Sequence, residues 1–199
     1  MNFLAHIALS GNDQELAIGN FIADTILPKE RNILSKKMMQ GVRLHHAIDT
    51  FTDKHPSFIH TTQLSRTTLS KYAPVATDVF FDHFLAVHFE KYFPNNPLDT
   101  FSKNFYAALQ KHHQVLPERA QVLIHHLIKN DWLSMYKTVD GINIILTQMS
   151  KRTRFESNLD KASEVLKEHY TAIEKDFSLL FPELLVSLES QQQLLPKSS

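Results

Sequence analysis

Apolar residues recur at helical spacing along nearly the whole chain. Leu16, Ile18, Phe21, Ile22 and Ile26 form a stripe close to 3.6 residues in period, which predicts a helix over 13–26. Ile33, Leu34, Met38, Val42, Leu44 and Ile48 do the same over 31–53. Pro56 and Pro74 suit the first turns of two further helices, the second running to about Phe93. The cluster Pro94-Asn95-Asn96-Pro97 is a break. Leu98, Phe101, Phe105, Ala108 and Leu109 resume the period over 98–114, and Pro117 starts a helix through Ile128. Asp140 to Arg152 reads as one more, and 158–189 as a long final helix with a bend near Pro182. Alternating runs of β-branched residues are scarce. The expected architecture is therefore all-α, a single-domain helical bundle over residues 1–190. A polar tail, 191–199, is expected to fray.

Composition narrows the chemistry. A chain of 199 residues fits one domain and is long enough for a substantial core. It has no cysteine, which excludes disulfides, thiolate nucleophiles, iron–sulfur clusters and thiolate zinc sites. Four glycines are too few for glycine-rich phosphate loops or dinucleotide-binding turns. Lys plus Arg total 21 and so do Asp plus Glu, so a nucleic-acid partner is not expected. The first residues lack a basic leader, and no apolar run approaches the ~18 residues of a membrane span. A cytoplasmic protein without membrane attachment is the expectation. The sequence leaves the oligomeric state open.

Histidine is abundant, at 12 residues, and some of it lies beside carboxylates. In the segment Gly41–Asp53, His45 and Asp49 are four apart and share a helix face, as do Asp49 and Asp53. Imidazole beside carboxylate suits a divalent ion such as Mn²⁺, Fe²⁺ or Zn²⁺. The same spacing also describes a solvated polar stripe. Asp78, Asp82 and His83 lie in a strongly aromatic segment with Phe80, Phe81 and Phe84. Carboxylates in such a setting are usually paired or coordinating, or else mark the wet face of an amphipathic helix. His6 and Asp24 are further candidates in otherwise apolar stretches. From Lys29 to Lys71 eight basic residues face only Glu30, Asp49 and Asp53, a local excess that suits an acidic partner.

These residues carry a resemblance. Met1-Asn2-Phe3-Leu4-Ala5-His6, Gly19-Asn20-x-x-Ala23-Asp24, Gly41-x-x-x-His45-x-x-Ile48-Asp49-x-x-Thr52-Asp53, Asp78-x-x-x-Asp82-His83-Phe84-Leu85 and Met149-Ser150-x-Arg152 occur in order over residues 1–152. Together they resemble the bacterial acyl carrier protein phosphodiesterases, also called acyl carrier protein hydrolases. That family is described as a divergent branch of the all-helical, metal-dependent HD phosphohydrolases, although Asp82-His83 reverses their His-Asp order. The resemblance implies an enzyme that removes 4′-phosphopantetheine from holo-acyl carrier protein, with Mn²⁺ as cofactor. On that reading His6, Asp24, His45, Asp49, Asp82 and His83 converge on metal. Asp24 also takes part in catalysis, and Asp78 serves as a further ligand or orients an imidazole. Arg43 or Arg152 holds the phosphate, and the basic stretch from Lys29 to Lys71 docks the acidic carrier. Alanine at Asp24 or Asp82 is then expected to abolish hydrolysis while leaving the fold largely intact. Two rival readings use the same residues. An HD-type phosphohydrolase acting on small nucleotides would cleave them without a carrier protein. A non-catalytic helical binding module would hold no stoichiometric metal.

Overall fold

The computed structural model describes residues 1–153 and 155–194, and its order is helical throughout. The helices are α1 (Phe3–Ala8), α2 (Gln14–Ile22), α3 (Lys36–Thr52), α4 (Pro56–Leu69), α5 (Ala73–Val87) and α6 (Phe89–Tyr92). They continue with α7 (Leu98–His112), α8 (Glu118–Lys129), α9 (Trp132–Met135), α10 (Val139–Ser150), α11 (Ala162–Glu168) and α12 (Tyr170–Leu194). Short 3-10 turns link several of them, notably Ala23–Thr25 and Pro28–Ile33. No strand occurs among the described residues. None of their helices is long and apolar enough to cross a membrane.

Local chemistry explains most boundaries. Asp13 caps α2 by accepting from the Leu16 N–H, and Ser35 caps α3 by accepting from Met38. Pro56 occupies the first turn of α4. The helix expected over 31–53 starts later, because Ser35 offers its side-chain oxygen where the 3-10 turn ends. The helix expected over 74–93 is two, parted at His88, whose backbone leaves the helical region at φ −105°, ψ 21°. A similar departure at His169 divides the expected 158–189 into α11 and α12. Pro182 lies inside α12, which reaches Leu194. The remainder of the expected tail, 195–199, lies outside the described residues.

α5 is the central element. Val79, Phe80, Phe81, Phe84 and Leu85 are all fully buried in it. It packs against α1, α4, α10 and α12, and an aromatic column joins it to α12. Phe81 and Phe84 meet Phe177 at 5.9 and 6.2 Å between ring centroids, and Phe177 meets Phe181 at 5.2 Å. Such offset and edge contacts add to the area that aromatic rings bury.

The most extensive helix–helix contact is between α2 and α3. Glycine makes it possible. A Cβ on Gly19 would run into the Met38 carbonyl oxygen, and one on Gly41 into the Leu16 carbonyl oxygen. Both positions let backbone touch backbone. The close crossing places the end of α2, with Asn20, directly against the face of α3 that carries His45.

Candidate metal centre

Four of the expected residues meet where α1, α2 and α3 converge. His6 comes from α1, Asp24 from the 3-10 turn after α2, and His45 and Asp49 from successive turns of α3. The two imidazoles stack at 3.9 Å between centroids, 15° from parallel. His45 Nε2 is 3.1 Å from Asp49 Oδ2 and 3.3 Å from Asp24 Oδ1. His6 Nε2 is 3.2 Å from Asp49 Oδ1, so Asp49 spans both rings. Ligand atoms of His6, His45 and Asp49 all lie within 4.8 Å of one another. The histidines are buried, whereas the Asp24 side chain is 82% exposed and forms the outer edge.

Asn20, fully buried on α2, sets the state of both rings. Its Nδ2 donates to the His6 carbonyl oxygen (2.7 Å) and to Ser10 Oγ (3.0 Å). That fixes which way the amide faces, so its Oδ1 is the acceptor 2.9 Å from His6 Nδ1. His6 Nδ1 therefore carries the proton. His45 Nδ1 lies 2.9 Å from the Asn20 backbone carbonyl, an acceptor only, so it too is protonated. In each neutral ring, Nε2 is left with its lone pair.

Those lone pairs face other acceptors. His6 Nε2 looks onto Asp49 Oδ1 and onto the Met1 carbonyl at 3.2 Å. His45 Nε2 is buried and has no hydrogen-bond partner among the described residues, despite two carboxylates beside it. Such an arrangement requires a cation or an added proton. Two imidazole nitrogens with carboxylate oxygens are a donor set for Mn²⁺, Fe²⁺ or Zn²⁺. Ligands about 2.0–2.2 Å from a shared ion lie about 3 Å apart, and the separations here are of that size. The residues thus fit a divalent metal, each ring held from behind by a hydrogen bond, as metal-binding histidines commonly are.

The titrating groups respond to this crowding. Burial drives His6 down to about 4 and keeps it neutral, with the His45 charge adding to the effect against Asp49. Burial also opposes charge on His45, but Asp24 and Asp49 outweigh it and raise it to about 9. Asp49 is held far below the usual carboxylate range: burial acts against this, and His45 and His6 overcome it. Asp24 is lowered, mainly by His45. Without a metal, a proton on His45 therefore compensates the carboxylates.

The structure departs from the expected six-residue convergence at Asp82 and His83. Asp82 is fully buried on α5 and caps α1. Its carboxylate accepts from the backbone N–H groups of Asn2 (3.1 Å), Leu4 (2.7 Å) and Ala5 (3.4 Å). A six-residue helix buried this deeply cannot give its free N–H groups to water, and Asp82 replaces water. Burial pushes the Asp82 carboxyl up to about 7, against the Met1 ammonium and these donors, which favour its charged form. Hydrolysis lost on an Asp82→Ala change would follow from a displaced α1, rather than from an intact fold missing a ligand. His83 turns elsewhere too. Its Nδ1 donates to the Tyr136 carbonyl (2.7 Å), and its Nε2 lies 3.0 Å from the Tyr170 hydroxyl. Asp78 does not orient an imidazole; it accepts from the Met1 ammonium.

The remaining candidates are peripheral. Arg152 is exposed, lies 5.7 Å over the Trp132 ring and lines a pocket together with His6, Asp24 and His45. Arg43 is exposed on α3 and is not among that pocket's lining residues. Asp53 caps the C-terminal end of α3 in solvent. Lys29, Arg31, Lys36 and Lys37 are all exposed, and Lys37 pairs with Asp13 at 3.1 Å. Asn20 was missed by residue chemistry. The available signal was its place beside Gly19, a polar residue at the glycine-mediated crossing.

Comparison with known proteins identifies the family. A family model described as acyl carrier protein phosphodiesterase matches residues 1–184. The chain is 28% identical to an acyl carrier protein phosphodiesterase of Photorhabdus laumondii over 191 residues, 96% of each chain. It is 31% identical to one from Escherichia coli O6:H1 over 189 residues, covering 93% of this chain and 96% of that one. A Pectobacterium atrosepticum protein of the same name is 28% identical over 192 residues and is covered in full. No solved structure matches the chain. With a family model spanning nearly its whole length, the chain belongs to the acyl carrier protein phosphodiesterase family.

Proposed function

We propose that this protein hydrolyses the phosphodiester joining 4′-phosphopantetheine to holo-acyl carrier protein. The products are apo-acyl carrier protein and 4′-phosphopantetheine. A divalent metal, Mn²⁺ first among candidates, is held by His6, His45 and Asp49, with Asp24 at the outer edge. The observation that carries this reading is the convergence of two imidazole lone pairs and two carboxylates, with His6, Asp24 and His45 lining one pocket, in a member of this family.

A bound divalent cation supplies Lewis acidity toward a phosphoryl oxygen and activation of water. The protein's own residues supply the rest. Asn20 fixes both rings so that their Nε2 lone pairs face the ion site. Asp49 spans the two rings, and their burial excludes bulk water from the inner side. Asp24, exposed beside His45 and ionised, is the carboxylate that can take a proton from the attacking water and pass it to the leaving serine oxygen. Arg152, on the pocket rim, offers a guanidinium that pairs with phosphate oxygens in two-point geometry. Lys29, Arg31, Lys36 and Arg43 give an acidic carrier a basic surface to approach. The setting of this reaction is the cytoplasm.

The test is intact-mass spectrometry of holo-acyl carrier protein incubated with the protein in Mn²⁺ or in EDTA. Loss of the whole phosphopantetheine mass in Mn²⁺ and its absence in EDTA support the reading. A well-folded sample that leaves the carrier intact with any divalent metal overturns it.

A further inference from the structure

The pocket that opens beside the histidines has a volume of about 420 Å³. It shares His6, Asp24 and His45 with the candidate metal centre, so whatever fills it is continuous with the reacting group. Its far wall is apolar: Phe3, Leu123, Trp132, Ile145 and Met149 line it. Polar groups are sparse there, with Gln148 and Thr153 from the end of α10 and the loop after it. Among the described residues its cations are Arg152, which is exposed, and the Met1 ammonium, which is already bound to Asp78 in the same lining. A larger groove of about 740 Å³ elsewhere on the molecule shares none of the four clustered residues.

These features specify a ligand. Beyond its phosphate it is uncharged, because the described residues of the wall leave almost no unpaired countercharge away from the histidine end. It is largely aliphatic, to match the walls, with a few polar groups to meet Gln148 and Thr153. We infer that this pocket binds the pantetheine arm of the substrate, with the phosphodiester at the His6/His45/Asp24 end and the arm lying against Trp132, Leu123 and Ile145. The inference rests on the hydrolase reading above and adds to it. The arm itself, and not the carrier surface alone, is recognised. Recognition through the arm places the scissile bond against the histidines while the carrier protein stays outside.

Trp132 is the only tryptophan in the chain, so its fluorescence reports occupancy of the pocket directly. Pantetheine, lacking both phosphate and carrier, is titrated into the full-length Mn²⁺-loaded protein. A saturable change in Trp132 emission is expected, with none from inorganic phosphate alone. Leu123→Phe and Ile145→Phe fill the pocket from two different helices. Each is expected to weaken pantetheine binding at least tenfold and to raise KM for holo-acyl carrier protein, with unfolding curves showing that the variants are folded. The inference is overturned if the wild-type protein cleaves holo-carrier while pantetheine leaves Trp132 unchanged and both folded variants keep the wild-type KM. The hydrolase reading survives that result. Saturable pantetheine binding by a protein that never cleaves holo-carrier supports the pocket's occupant and overturns the hydrolase reading instead.

Discussion

Replacing Asn20 with alanine separates the role of the ring-orienting hydrogen bonds from that of the metal ligands themselves. Three side-chain hydrogen bonds disappear: those to His6 Nδ1, to the His6 carbonyl and to Ser10 Oγ. The His6 carbonyl keeps a donor, because Ser10 Oγ also reaches it at 2.9 Å. The His6 Nδ1–H does not, and becomes a buried donor without a partner. Three hydrogen bonds at about 1 kcal/mol each, one of them leaving a buried orphan, give a stability loss of about 2–4 kcal/mol. His45 keeps its anchor, since that anchor is the Asn20 backbone carbonyl. The metal site is thus weakened and not abolished. With the tautomer and angle of only His6 released, Mn²⁺ affinity is expected to fall about 10–100-fold. Electron paramagnetic resonance titration of free Mn²⁺ reads the affinity, and urea unfolding reads the stability. Wild-type Mn²⁺ affinity in a folded Asn20→Ala protein would refute the assignment of Asn20 as the residue that positions His6.

Other substitutions test neighbouring steps. Gly41→Ala sets a Cβ against the Leu16 carbonyl and forces α2 and α3 apart; a loss of about 1–3 kcal/mol in thermal unfolding is expected, and an unchanged melting temperature would contradict the close crossing. Asp82→Asn keeps the shape but removes one carboxylate oxygen from the cap of α1. It should cost about 1–3 kcal/mol of stability while leaving Mn²⁺ bound, and loss of Mn²⁺ from a folded variant would return Asp82 to the ligands. Lys36→Glu combined with Arg43→Glu should raise KM for holo-acyl carrier protein severalfold and flatten its salt dependence; if neither changes, the carrier docks on another face.

The helical character of the chain was legible from its apolar period, and so were the pairings that lie within one helix. His45 and Asp49 share a face because four residues make one turn, and the structure keeps that relation. Breaks at His88 and His169 were not legible, since neither residue is a helix breaker and the apolar stripe runs through both positions. α1 is too short, at six residues, to display a period. Asp82 shows the deeper difficulty. Its burial among phenylalanines correctly indicated a compensated carboxylate, but the compensation is backbone N–H groups 77 to 80 residues away, which no side-chain pattern records. Asn20 was hidden for a related reason. Its effect on His45 runs through its backbone carbonyl, and its effect on His6 depends on the α2–α3 contact that Gly19 and Gly41 permit.

His6, His45 and Asp49 are proposed to hold a divalent metal. The most direct measurement is Mn²⁺ binding by electron paramagnetic resonance to the wild-type protein and to Asp49→Asn and His45→Gln, each verified as folded. Stoichiometric tight binding in the wild type that is lost in both variants is the expected result. Absence of tight Mn²⁺ binding in the wild type, or equal binding in all three proteins, would contradict it.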